Sequence, residues 1–199
     1  MKKRKSRLLI ILTLLLLLGT IVQAEAYEYF PDIPPDYEYA DEINSLAKLE
    51  IIRGDENGNF NPDKTLTRAE FATLICRIRG EEDEALKIIK SSFSDVPSNH
   101  WACGYITKAT ELGIVNGYGN NKFGPSDDLT YEQAVTVLVR AWGYEDMVTP
   151  AGDYPNGYLK IAEKIGIMNG VEIKIGSKIP RKIVAVLIYN TVTNIIPIS

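Results

Sequence analysis

The chain repeats itself. Residues 30–80 align with 93–143 at a constant offset of 63, without a gap and with fifteen identities over 51 positions. The matches include Asp32/Asp95, Pro34/Pro97, Ile43/Ile106, Gly54/Gly117, Phe60/Phe123, Pro62/Pro125, Leu66/Leu129, Thr67/Thr130 and Arg77/Arg140. A third, shorter copy follows. There Tyr158 to Gly170 overlays Tyr105 to Gly117 and, after a three-residue deletion, Ile179-Pro180-Arg181 overlays Leu66-Thr67-Arg68. One copy is too small to bury its own apolar face, so the fold must come from copies packed on one another.

Each unit reads as helix–loop–helix. An Asp-x-Pro turn suits a helix entrance. Apolar residues then recur three and four apart, at Ile43, Leu46 and Ala47 and at Ile106, Ala109 and Leu112, which predicts a helix with one buried face. Gly54, Gly117 and Gly170 are expected to end this element as left-handed caps. A loop rich in Gly, Asn and Asp follows, carrying Phe60 or Phe123 to tack it to the core. The second helix is predicted from Thr67 to about Arg79 and from Thr130 to about Trp142. Thr67 with Glu70, and Thr130 with Gln133, have capping-box spacing, while Pro180 suits the first helical position. The expected fold is mainly α, with repeats at 28–80, 93–144 and 145–194 packed second helices inward. The acidic run Glu81-Glu82-Asp83-Glu84 reads as part of a solvated linker, 81–92.

The capping box places Arg68 in the first helical turn, where a cation opposes the helix dipole. Such a residue is either a solvated surface arginine or one held there for function. The chain begins with Lys2, Lys3, Arg4, Lys5 and Arg7 ahead of an apolar run from Leu8 to Val22, short for a membrane span. This reads as a signal peptide over 1–24, with cleavage after 26 as the alternative, and hence as a secreted chain. Its removal leaves 17 basic against 26 acidic residues. A chain this acidic is a poor nucleic-acid binder, and its remaining cations become individually informative. Cys76 reads as a small core residue, and a Cys76–Cys103 bridge stays open.

The combination Phe-x-Asp-x-Pro, His100-Trp101-Ala102-x-x-Tyr105-Ile106, Gly113-Ile114-Val115-x-Gly117-Tyr118-x-x-x-x-Phe123-x-Pro125 and Leu66-Thr67-Arg68-Ala69-Glu70 resembles the S-layer homology (SLH) family over residues 28–194. The resemblance implies three repeats in a pseudo-threefold, mostly helical arrangement. It also implies non-covalent attachment to secondary cell-wall polysaccharide, often through pyruvylated sugar, with Arg68 lining a groove between repeats. A ketal-pyruvate carboxylate matches the guanidinium fork, and N–H groups at the helix start, from Thr67 to Glu70, would add to anion binding. Trp101 reads equally as a sugar platform or a packing residue. Tyr118 leans toward ligand contact; Asn116 and Asn169 are ligand contacts or turn residues. Arg53, at the Asn116 position of the first copy, would add a cation.

Two copies depart from the motif. The second has Tyr131 where the arginine belongs, and the third keeps Arg181 but loses the threonine and glutamate. One good groove at Arg68, a second at Arg181 and a dead one at Tyr131 are therefore expected. No catalytic constellation, cofactor or metal is expected: His100 is the single histidine, and Asp55 to Leu66 lacks the calcium-loop Gly and Glu. The alternative is an envelope structural module that binds a protein partner. A triplet of this family ordinarily anchors cargo, so a chain stopping at Ser199 reads as a stand-alone binder, an adaptor or a split product.

Overall fold

The computed structural model describes residues 29–172 and 174–194. The expected signal peptide lies outside them. The described chain is helical: α1 (Ala40–Lys48), α2 (Arg68–Ile78), α3 (Glu82–Leu86), α4 (Cys103–Glu111), α5 (Tyr131–Ala141), α6 (Val148–Ala151), α7 (Asn156–Lys164) and α8 (Arg181–Asn194), with a 3-10 turn at Glu145–Met147. Among the described residues no helix is long and apolar enough to cross a membrane. Both predicted second helices form where expected. Thr67 caps α2 by accepting from the Glu70 N–H at 3.2 Å, while Glu70 accepts from the Thr67 N–H at 2.8 Å. At α5 Gln133 accepts from the Thr130 N–H at 3.3 Å, whereas the buried Thr130 hydroxyl has no partner.

Helices pack across repeats. α2 lies against α4, α5 against α7, and α1 against α8, so each second helix meets a first helix of another copy. α5 also touches α2 and α8, in keeping with second helices lying inward. The segments ahead of the second helices are stitched together by backbone bonds. Leu129 N–H donates to Leu66 O at 2.8 Å, Ile179 N–H donates to Leu129 O at 3.0 Å, and Thr65 pairs antiparallel with Pro180. The side chains of Leu66, Leu129 and Ile179 are buried at this junction. Phe60 and Phe123 hold their loops down as expected, each ring 5.4 Å from its partner, Phe30 or Phe93.

Two expectations are corrected. The left-handed residue directly after the first helix is Glu50, Gly113 or Gly166, with φ of 57°, 70° and 81°, while Gly170 is left-handed at φ 71° but lies further along the chain. Gly54 and Gly117 have a different role: a Cβ there would lie 2.8 Å from Gly58 backbone or 2.5 Å from Lys122 O and the Phe93 ring. Second, the acidic run is solvated only at Asp83 and Glu84. It starts α3, where Glu82 takes hydrogen bonds from Arg53, Arg77 and Tyr105, and Glu81 pairs with Lys108 at 3.1 Å. The bridge that the sequence left open does not form: Cys76 and Cys103 are both buried with free thiols. Burial pushes the Cys76 thiol up to about 12, as a core residue rather than a reactive one.

Candidate functional site between repeats

Every second helix starts on the loop of a different repeat, which creates three seams. In the first, Arg68 N–H donates to Asp127 O at 3.0 Å and Ala69 N–H to Pro125 O at 3.1 Å. This docking carries the Arg68 side chain into the 116–124 loop. Its Nε donates to Phe123 O at 3.0 Å and its Nη2 to Asn116 O at 2.8 Å. The guanidinium lies over the rings of Tyr118 and Phe123, 4.4 and 4.5 Å from their centroids. The loop is fixed from behind by Asp95, which accepts from the N–H groups of Phe123 and Gly124 at 2.9 and 2.8 Å. Burial opposes ionisation of Asp95, but these backbone bonds win and hold its carboxyl below the usual range.

The third seam repeats the design. Arg181 N–H donates to Lys64 O at 2.9 Å and Lys182 N–H to Pro62 O at 2.9 Å. Arg181 Nη2 donates to Arg53 O at 2.8 Å, its guanidinium stands 4.9 Å from the Phe60 ring, and its buried Nε has no partner. A cavity of about 170 Å³ opens here, lined by Arg53, Asp55, Asn59, Lys64, Glu70 and Arg181 among others. In the second seam Tyr131 N–H donates to Ser177 O at 3.1 Å, and the Tyr131 side chain is buried with its hydroxyl unpartnered.

Charge separates these arginines from the rest. Arg53 and Arg77 pair with Glu82, and Arg140 pairs with Glu145. Arg79 is exposed. Among the described residues, Arg68 and Arg181 alone combine substantial burial with no carboxylate partner. Burial pushes both guanidinium groups below their ordinary value, opposed by Tyr118, Asp127, Asp95 and Tyr154 at Arg68 and by Glu70 at Arg181. An arginine does not deprotonate in this situation; it remains a poorly hydrated cation.

The other expected residues divide. Asn116 contributes its backbone carbonyl and Tyr118 its ring, both at Arg68. Arg53 lines the Arg181 cavity, but Glu82 grips its guanidinium through two bonds of 3.2 and 3.0 Å. Thr67 serves the helix cap, and Glu70 also faces the Arg181 cavity and pairs with Lys64 at 2.9 Å. The N–H groups of the α2 start are consumed by Asp127, Pro125, Thr67 and Glu70, which removes them as anion donors. Trp101 is 60% exposed and stacks on His100, with no direct bond to either arginine. Tyr154, the third-copy counterpart of Trp101, is exposed and electrostatically coupled to Arg68 and Tyr118, which sequence reasoning missed. No group of His, Cys, Asp and Glu able to hold a metal occurs among the described residues.

Residues 29–72 and 92–135 match the family model of the S-layer homology domain. The "Cell surface protein" of Thermoanaerobacter kivui is 36% identical over 191 residues, covering 94% of this chain and 24% of that protein. The "Surface layer protein" of Brevibacillus choshinensis is 40% identical over 130 residues, 65% of this chain and 12% of that protein. An amylopullulanase of Thermoanaerobacterium thermosulfurigenes is 32% identical over 167 residues, 74% of this chain and 8% of the enzyme. The chain thus spans a quarter or less of each of these relatives. Matched domains in two of the repeats, on a helical fold with an arginine-bearing seam between them, show that the chain belongs to the S-layer homology family.

Proposed function

We propose that this chain is a secreted, non-catalytic cell-wall module that grips an acidic secondary wall polysaccharide at the Arg68 and Arg181 seams. The observation that carries this reading is the pair of desolvated arginines without carboxylate partners. A buried cation left in that state favours an incoming anion strongly, because the desolvation cost has already been met in folding. A sugar-borne carboxylate such as a pyruvyl ketal offers two coplanar oxygens to a guanidinium fork. At the first seam Nη1 and the second hydrogen of Nη2 remain for it, and Tyr118 and Tyr154 offer amphipathic faces to a pyranose ring. Thr67 and Glu70 act in this reading by fixing the helix start that aims Arg68. Trp101 and Asn169 are assigned no direct contact with the anion, and the Tyr131 seam is silent toward it. Two of the relatives are named as cell surface and surface layer proteins, which supports a position at a bacterial cell wall.

Co-sedimentation with purified sacculi, before and after removal of their secondary polysaccharide, tests the proposal. Binding is expected to vanish on stripping and to fall by about tenfold or more for Arg68→Ala, as for loss of a charge-assisted contact. Arg68→Ala/Arg181→Ala should abolish it. Binding that ignores stripping and both substitutions would overturn the reading and point to a protein partner.

A further inference from the structure

Behind each ligand-facing arginine stands a second arginine from the neighbouring repeat. In the second repeat Arg140 Nε donates to Glu145 at 3.0 Å and Nη2 to the Tyr158 hydroxyl at 2.7 Å, while Tyr158 donates to Glu145 at 2.5 Å. With the Asn116 side-chain amide turned so that both of its ends find partners, its oxygen accepts from Arg140 Nη1 at 3.1 Å and its nitrogen donates to Val115 O at 3.1 Å. The residue held this way, Asn116, offers its backbone carbonyl to Arg68 Nη2. The first repeat has the same cluster, its Arg and Glu 63 residues earlier and its Tyr 53 residues earlier. Arg77 Nε donates to Glu82 at 3.0 Å, Tyr105 donates to Glu82 at 2.9 Å, and Arg77 Nη1 reaches Ile51 O at 3.4 Å. Glu82 also grips the Arg53 guanidinium, and the Arg53 carbonyl accepts from Arg181.

The third copy supplies the contrast. Its residue at the Arg77/Arg140 position is Asn190, whose Nδ2 donates to Ile167 O at 3.0 Å and to Asn169 O at 2.8 Å. Asn169 O is the counterpart of the Asn116 and Arg53 carbonyls. It is thus filled from within its own repeat, in the seam where Tyr131 brings no guanidinium. A supporting arginine accompanies a groove arginine in the first and third seams, and both are absent from the second, the Tyr131 seam.

We propose that Arg140 and Arg77 are positioning residues, which hold the loop carbonyls that aim Arg68 and Arg181 respectively. The clusters bond to the loops and not to the groove guanidinium groups, so they set the orientation of those groups through the loop carbonyls. Burial opposes the charge on Arg140, yet Glu145 and Tyr158 outweigh it and hold the guanidinium above its ordinary value, which keeps this support ionised throughout. The inference rests on the glycan-anchor reading above and names which residue supports which groove.

A crossed substitution experiment tests it, with sacculi that retain their polysaccharide as the probe. Arg140→Met placed on Arg181→Ala, where only the first groove works, should weaken sedimentation roughly tenfold, the cost of misplacing a charge-assisted contact. The same Arg140→Met on Arg68→Ala, where only the third groove works, should change nothing. Arg77→Met should show the opposite pattern. Thermal melts identify any variant that loses the fold, and for such a variant Arg→Lys, which keeps charge but loses the fork, replaces Arg→Met in the same crossed design. A second readout needs no glycan: the Arg68 side-chain NMR signals should shift on Arg140 substitution and stay put on Arg77 substitution. Equal weakening of both grooves by either substitution, or unmoved Arg68 signals with Arg140 changed, would overturn the assignment. Failure of the Arg68→Ala and Arg181→Ala backgrounds to affect binding at all would instead overturn the anchor reading itself.

Discussion

Single residues carry two opposite kinds of local cost here. Arg68 and Arg181 are desolvated cations whose cost is useful if an anion arrives. Glu50 has no such return. It occupies the left-handed turn after α1 at φ 57°, where the other two copies have Gly113 and Gly166, and it is exposed. A side chain in this conformation costs about 1 kcal/mol against its Cβ, which glycine lacks. Part of that gain is returned to the more flexible unfolded chain. Glu50→Gly is therefore expected to stabilise the domain by roughly 0.5 kcal/mol and raise the melting temperature by about 1–2 °C. Differential scanning calorimetry reads the shift, and an unchanged or lower midpoint would mean that the Glu50 side chain makes compensating contacts.

At the scale of elements, the same crossing occurs twice with different sequences. A Cβ on Gly104 in α4 would stand 2.0 Å from the Ala85 carbonyl oxygen of α3, and one on Gly157 in α7 would stand 2.2 Å from Gly152 O. Backbone lies directly on backbone at both points. Gly104→Ala should push α3 off α4 and destabilise the fold by about 1–3 kcal/mol, the usual cost of overpacking. Because α3 carries Glu82, it should also weaken the Arg181 groove more than the Arg68 groove, measurable by sedimentation in the two single-groove backgrounds. Equal effects on both grooves would detach α3 from groove support. The elements themselves were largely legible in the sequence. Apolar spacing marked α1 and α4, and Thr67-x-x-Glu70 located the start of α2, because both signals are local. The acidic run was misread because its partners Arg53, Arg77, Tyr105 and Lys108 are remote or masked by their own helices, and charge pattern alone reports solvation. The caps were misplaced for a related reason: a glycine demanded by close approach looks the same in sequence as one demanded by positive φ.

For the whole molecule, repetition disclosed that the chain is built of copies of one unit but not which copy packs on which. Arg68 was legible as a candidate from its motif, whereas its contacts with Asn116, Tyr118 and Phe123 depend on a pairing between repeats that no local pattern encodes. That pairing also shapes the long-range electrostatics. The full sequence has a formal net charge of −4 at pH 7, while the cationic grooves are confined to seams between repeats. An acidic polysaccharide thus meets repulsion at a distance and attraction only on contact. Distant charges are screened by salt far more than half-buried ones, the Debye length falling from about 30 Å at 0.01 M to about 8 Å at 0.15 M. Raising the salt across that range should accelerate association with immobilised wall polysaccharide, since steering and repulsion act on the approach rate. Dissociation should change by less, because the guanidinium contacts at Arg68 and Arg181 are shielded by Tyr118, Phe123 and Phe60. Surface plasmon resonance separates the two rates. Association that slows with salt from the outset would mean that the arginine seams project a field beyond the acidic surface, and that the wall is recognised before contact rather than on it.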